Sequence, residues 1–251
     1  MTNDIQDKVT AALLVIGDEI LSGRTKDKNI GYIAEYLTAI GIDLREVRVV
    51  SDDEGAIIEA VNTLRVRNTY LFTTGGIGPT HDDITADCIA KALNVGISHD
   101  PRAVAMLKER YANPEDLNEA RLRMARIPDG ADLIENPISK APGFMVANVI
   151  VMAGVPAIMQ AMLEGVTPKL KTGKTISSVS IDSGGLPEGA YATGLGEVQK
   201  AHAGVIIGSY PHFDGQRFVN QIVLRSRDEA LLEQAKTAVA ALIAQLKSAN
   251  Q

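Results

Sequence analysis

Three glycines within four residues, flanked by hydroxyls and followed by two acids, mark the stretch best suited to chemistry: Thr73-Thr74-Gly75-Gly76-Ile77-Gly78-Pro79-Thr80-His81-Asp82-Asp83. Glycine lets a backbone take positive φ and approach a ligand closely, and amides near a helix start favour negative charge. Such a loop suits a phosphate, with Thr73, Thr74 and Thr80 adding hydroxyls. Asp82 and Asp83 would repel that phosphate unless a metal ion bridges them or they bond a neutral ring or sugar hydroxyl. Either acid could instead cap the next helix, which accounts for one of them better than for both. His81 draws notice only by its place in this loop.

A second acidic loop follows the apolar run from Ala11 to Ile16, which reads as a strand buried on both faces: Gly17-Asp18-Glu19-Ile20-Leu21-Ser22-Gly23-Arg24. Open α/β sheets bind ligands beyond the carboxyl ends of their strands, so both loops should face one edge. If the two strands are neighbours, Asp18, Glu19, Asp82 and Asp83 meet there, and paired carboxylates with loop oxygens suit Mg²⁺, Mn²⁺ or Co²⁺. Taken alone, Asp18 and Glu19 read equally well as solvated turn acids.

The elements that position these loops follow the order strand, helix, strand, helix, strand, helix. Helical spacing runs from Asn29, the expected cap, to Ile40 and stops at Gly41. A strand over Ile42 to Val50, a helix over Glu54 to Val66, and the strand before the glycine loop complete the series. Further helices are expected from Pro101 to Tyr111, from Pro114 to Arg126 and from Ala157 to Leu170, with a strand over Met145 to Val151. Arg121, Arg123 and Arg126 read as a solvated face, with phosphate steering the alternative. Lys140 could bring positive charge to the ligand edge or simply be solvated.

Beyond Lys171-Thr172-Gly173-Lys174 the pattern changes to a strand, a helix, two strands and a helix, a small unit of its own. The expected domains are therefore residues 8–171 and 172–251. An Asp-Gly turn accounts for Asp214 and Gly215 beside His212.

The chain has 251 residues, a formal charge of −6, 4% aromatics and one cysteine, Cys88, which falls on the inward spacing of its helix. The acidic balance argues against a nucleic-acid partner. The longest apolar runs are too short to cross a bilayer, so a soluble, cytoplasmic protein without a membrane partner is expected.

The glycine loop with its Thr-His-Asp-Asp end resembles the signature of the molybdopterin-binding superfamily. Gly17 to Gly23 with Asn29 is similar to the branch of competence/damage-inducible protein A, CinA, and to the amino-terminal domain of eukaryotic FAD synthase. Asn136, Ala141-Pro142-Gly143-Phe144 and Gly154-Val155-Pro156 fit the branch's later loops, so the likeness spans roughly residues 10 to 170. Ser139-Lys140 and Ala153 depart from the Gly-Thr and Pro that the branch often has there. The resemblance implies a three-layer α/β/α domain with a mostly parallel sheet, followed by a small α+β, KH-like domain.

It also implies metal-dependent hydrolysis of a dinucleotide pyrophosphate, ADP-ribose or FAD. Asp82, Asp83 and Asp18 are then the catalytic acids, and Asp18, Glu19, Asp82 and Asp83 the metal ligands. Thr74, Gly75, Gly76, Gly78, Pro79, Thr80, Gly23, Asn29, Lys140, Gly143 and Gly154 would bind substrate and phosphate. The expected cofactors are a divalent ion with K⁺ beside it, and the expected partners a nucleotide and a second copy of the chain. The rival readings are a pterin-binding protein of molybdenum-cofactor assembly and a non-catalytic nucleotide binder.

Overall fold

The computed structural model describes residues 8–111, 113–213 and 218–249, so Asp214 and Gly215 lie outside the described residues. The chain divides into two compact units, Met1–Gly173 and Lys174–Gln251.

The first unit is built on a six-stranded sheet. In chain order its elements begin β1 (Val9–Ile16), α1 (Asp18–Leu21), α2 (Asn29–Ala39), β2 (Ile42–Val50), α3 (Glu54–Arg67) and β3 (Tyr70–Thr74). They continue with α4 (Thr85–Leu93), β4 (Ile97–His99), α5 (Pro101–Arg110), α6 (Glu119–Leu122) and β5 (Arg126–Pro128). The last are β6 (Asp132–Ile134), β7 (Gly143–Val146), β8 (Val149–Met152) and α7 (Pro156–Val166). The strand order is β2-β1-β3-β8-β7-β6, with β4 and β5 forming a separate two-stranded ribbon. Pairs β1–β2, β1–β3 and β3–β8 are parallel, while β7 is antiparallel to both its neighbours. The sheet is therefore mostly parallel.

The central strands alternate between two apolar layers, as strand geometry requires. Ala12, Leu14 and Ile16 of β1 join Leu71 and Val151 against α3, α4 and α5. Ala11, Leu13 and Val15 join Phe72 and Ile150 against α2 and α7. Helices thus cover both faces, and the unit is a three-layer α/β/α domain. Cys88 is fully buried in the first layer, where burial pushes its thiol up to about 11. It acts there as a small apolar side chain. Among the described residues no helix is long and apolar enough to cross a membrane.

Several sequence expectations are corrected. The run Met145 to Val151 is a hairpin: β7 and β8 turn back at Ala147, with φ 51, and at Asn148, whose side-chain amide donates to the carbonyls of Arg65 and Asn68. Pro114 to Arg126 does not form one helix. It breaks into a 3-10 turn, the short α6 and a second 3-10 turn. Asn118 caps α6 through the amide of Arg121, while Arg121 lies over the ring of Tyr111 and Arg126 pairs with Asp87. Asn29 is not the cap of α2. Asp27 Oδ1 accepts from the amides of Asn29 and Ile30 at 3.0 and 2.7 Å, which releases the Asn29 side chain for other work.

The second unit contains β9 (Ser177–Asp182), α8 (Glu188–Ala201), β10 (Ile206–Phe213), β11 (Phe218–Ser226) and α9 (Glu229–Ala249). Its sheet runs β10-β11-β9, all antiparallel. One face packs Ile222 and Leu224 against Tyr191 and Leu195 of α8 and Ala235, Val239 and Ile243 of α9. This is the small α+β unit expected from the pattern.

Candidate active site

Because β1 and β3 are parallel neighbours, the loops that leave them emerge side by side at the carboxyl edge of the sheet. Their approach leaves no room for side chains. Gly75 has φ 101, and a Cβ there would stand 2.1 Å from the Ile16 carbonyl oxygen. At Gly76, with φ 66, it would stand 2.2 Å from Thr85 Oγ1.

Three hydrogen bonds fix the loop's path. The Gly75 amide donates to Met152 O at 3.2 Å. Thr85, buried at the start of α4, donates its amide to Gly76 O and its hydroxyl to Gly75 O, both at 3.0 Å. Gly75 was expected to present its amide to phosphate, but that amide already serves the sheet. Gly76, Ile77 and Gly78 are left to meet a ligand.

They line a hollow of about 460 Å³ together with Asp83, Asn136, Ser139, Ala141, Gly154 and Glu19. Asn136 shapes the far wall: its Oδ1 accepts from the amides of Ile138 and Ser139, and its Nδ2 donates to Ala141 O. This closes the 136–141 loop into a compact turn.

A neighbouring hollow gathers Asp18, Glu19, Asp82 and Arg24 around Asp52. Asp52 escaped the sequence reading. It follows β2, which pairs with β1 and so delivers its loop to the same edge. Its Oδ2 accepts from the Asp18 amide at 3.0 Å. Partial burial, then the nearby Asp18, Glu19 and Asp82, push its carboxyl above the usual range. Negative charge accumulates here, which is what a bound cation would relieve.

Asp83 does not join that group. Its Oδ2 accepts from the amide and hydroxyl of Thr80 at 2.8 and 2.6 Å and lies 2.6 Å from where a Cβ on Gly78 would be. The Thr80 hydroxyl also holds the exposed Asp82 carboxyl below the usual range. One hydroxyl proton serves one acid at a time, and the 2.6 Å contact makes Asp83 its main partner. Among the described residues no three His, Cys, Asp or Glu side chains are grouped to hold a metal ion. The expected four-acid centre of Asp18, Glu19, Asp82 and Asp83 is thus replaced by a looser ring in which Asp52 takes the place of Asp83.

The remaining candidates separate into ligand edge and framework. Gly154 lines the glycine-loop hollow, and its carbonyl accepts from Asn29 Nδ2 at 2.8 Å. Thr74 does not line that hollow but a neighbouring cavity, which it shares with Asn29. Pro79 and Thr80 are exposed in the turn after Gly78, and His81 projects into solvent 4.0 Å from Asp82. Gly23, with φ 73, closes the turn after α1 by donating its amide to Ile20 O. Gly143 is buried in β7, where a Cβ would stand 2.4 Å from Val151 O, so sheet packing accounts for it. Arg123 donates to Asp83 O at 3.2 Å and braces the loop from behind.

Lys140 is not among the residues that line the glycine-loop hollow. Its ammonium pairs with Glu109 Oε2 at 2.9 Å, and its φ is 63. An exposed pair of this kind contributes little, and its partner is a carboxylate on α5, not a phosphate. What the position demands is left-handed backbone, which glycine tolerates and β-branched residues do not. Lys140→Gly is therefore expected to stabilise the domain by about 1 kcal/mol, and Lys140→Thr to destabilise it by a similar amount. Urea melts read the difference, and KM for substrate should be unmoved by either change.

The three-layer α/β/α domain, with its glycine loop at the carboxyl edge of the sheet, defines the class. The chain belongs to the family described as probable molybdopterin binding domain, which matches residues 12–172. Residues 183–250 match the middle domain of FAD synthase. A protein of Caldivirga maquilingensis is 32% identical over 251 residues, covering 96% of this chain and 98% of that one. A CinA-like protein of Desulfosudis oleivorans is 39% identical over 168 residues, covering 64% of this chain but 41% of its own length. Among solved structures, the protein CinA of Thermoplasma acidophilum superposes with a TM-score of 0.59 at 35% identity, over 64% of this chain and 98% of that one.

Proposed function

We propose that the first unit is a metal-dependent nucleotide pyrophosphatase that cleaves ADP-ribose or a related dinucleotide such as FAD. The observation that carries this reading is the junction of the two hollows: Glu19 lines both, so the glycine loop lies against a ring of acids. The match of residues 183–250 to the middle domain of FAD synthase supports a dinucleotide as ligand.

The amides of Gly76 and Gly78 would receive phosphate oxygens in a loop already held by Thr85 and Met152, so little ordering is left for substrate to induce. A divalent ion carried in on a pyrophosphate needs only one or two protein carboxylates. Asp82 and Asp18 are the natural pair, with Glu19 at the border. Such an ion neutralises charge on the bridging phosphates and makes a bound water more acidic. An exposed aspartate is ionised at neutral pH, so protons do not compete for Asp82 there.

The family description is the ground for a second reading, in which the same loop holds the phosphate of a pterin and Asp82 bonds its ring. One assay separates the two. The purified protein is incubated with ADP-ribose, FAD, NAD and ATP, with and without Mg²⁺ or Co²⁺, and AMP is measured. Release of AMP from ADP-ribose or FAD, only with metal, is the expected result. No AMP from any of them under any metal would remove the hydrolase reading.

A further inference from the structure

A cavity of about 220 Å³ lies beside the glycine-loop hollow and shares Glu19, Thr25, Gly154 and Pro156 with it. Asn29 and Thr74 line this cavity and are 4% and 1% exposed. Asn29 Nδ2 donates to Gly154 O at 2.8 Å. A carbonyl only accepts, so the amide nitrogen must face Gly154, and the oxygen is turned away from it. That oxygen, Asn29 Oδ1, and the hydroxyl Thr74 Oγ1 are both buried and have no hydrogen-bond partner among the described residues. Native proteins seldom leave such groups unpaired.

An amide oxygen needs a donor, and an ionised phosphate has none to give. Thr74 Oγ1 can both donate and accept. A sugar diol meets both requirements, because each of its hydroxyls donates one bond and accepts others. The apolar part of the lining is Val15, Ile16, Ile20 and Pro156, which suits the carbon face of a small ring, and Glu19 and Asp27 add carboxylates that accept from sugar hydroxyls. Lys26 and Lys28 stand exposed at the rim.

We propose that this cavity takes a ribose of the nucleotide, held through its hydroxyls by Asn29 Oδ1 and Thr74 Oγ1 while the attached phosphate lies on the glycine loop. The inference rests on the nucleotide reading of the site and assigns Thr74 to sugar, not to phosphate. Either ribose of an ADP-ribose-like ligand carries the required chemistry.

Thr74→Val tests it, since valine keeps the shape and removes only the hydroxyl. That hydroxyl bonds nothing among the described residues, so the melting temperature should hold or rise. Wild type and variant are titrated with AMP, ribose 5-phosphate, the 2′-deoxy and 3′-deoxy forms of AMP, and pyrophosphate. The variant should bind AMP or ribose 5-phosphate about tenfold more weakly, and whichever of the two suffers identifies the ribose. Where AMP is the ligand that suffers, one deoxy form should bind wild type weakly and lose nothing further in the variant, the coupling expected of a direct contact. Pyrophosphate affinity should be unchanged, and Thr74→Ser should restore ribose binding.

Equal binding of both ribose ligands by wild type and variant would overturn the proposal, as would an equal loss for pyrophosphate. If the ribose pattern appears but no dinucleotide yields AMP, the ribose assignment stands and hydrolysis falls. If AMP is released and Thr74→Val changes nothing, hydrolysis stands and the ribose assignment falls.

Discussion

Asp82→Asn should lower metal-dependent AMP release by about a thousandfold, the scale for removing a group that stabilises charge in the transition state, while the melting temperature stays put. The side chain is 60% exposed, so the fold does not depend on it. Its position on the hollow of Asp18, Glu19 and Asp52 leaves it open to an ion on the substrate. Asp83→Asn is the control. Asparagine can still accept from the Thr80 amide, so the turn should persist and activity should fall only a few-fold. If Asp83→Asn is the inactive variant and Asp82→Asn is not, the roles of the two acids are reversed.

Gly75→Ala should destabilise the domain by ~3 kcal/mol or more in urea melts and abolish nucleotide binding. Two penalties combine. The backbone at φ 101 is strained for any L side chain, and the new Cβ would meet Ile16 O at 2.1 Å, a backbone atom that cannot swing aside. Relief requires β1 and β3 to part, which disturbs the packing of Leu13, Leu14 and Phe72 on both faces. Gly154→Ala provides the contrast, because its Cβ would lie 3.3 Å from Gly75 Cα and a small shift suffices. A Gly75→Ala protein as stable as wild type would show that the loop is not locked against the end of β1.

What could be read from the sequence was local and strongly patterned. The two strand-loop edges at residues 11–24 and 70–83 follow from apolar runs ending in glycine, and the layered domain follows from helices alternating with them. Misreadings arose where tertiary contacts overrode local signals. The run from Met145 to Val151 contains no Gly or Pro, and it turns because Ala147 accepts a left-handed backbone that Asn148 secures from α3. Asn29 has the composition of a cap, but Asp27 occupies that role and Asn29 reaches across 125 residues of sequence to Gly154. Asp52 carries no motif. Only the order of β2 beside β1 brings it to the acids. Lys140 was singled out by its charge, yet the position is governed by its φ. Its neighbour Glu109 lies on a helix that no short-range pattern connects to residue 140.

The most direct measurement is a crystal structure of the protein with Mn²⁺ and a non-hydrolysable ADP-ribose analogue, with the ion located by its anomalous signal. The account predicts the pyrophosphate in the hollow of about 460 Å³ against the amides of Gly76 and Gly78, with Mn²⁺ between it and Asp82 or Asp18. A pyrophosphate bound away from the glycine loop, or bound there with no ion near Asp82 and Asp18, would contradict it.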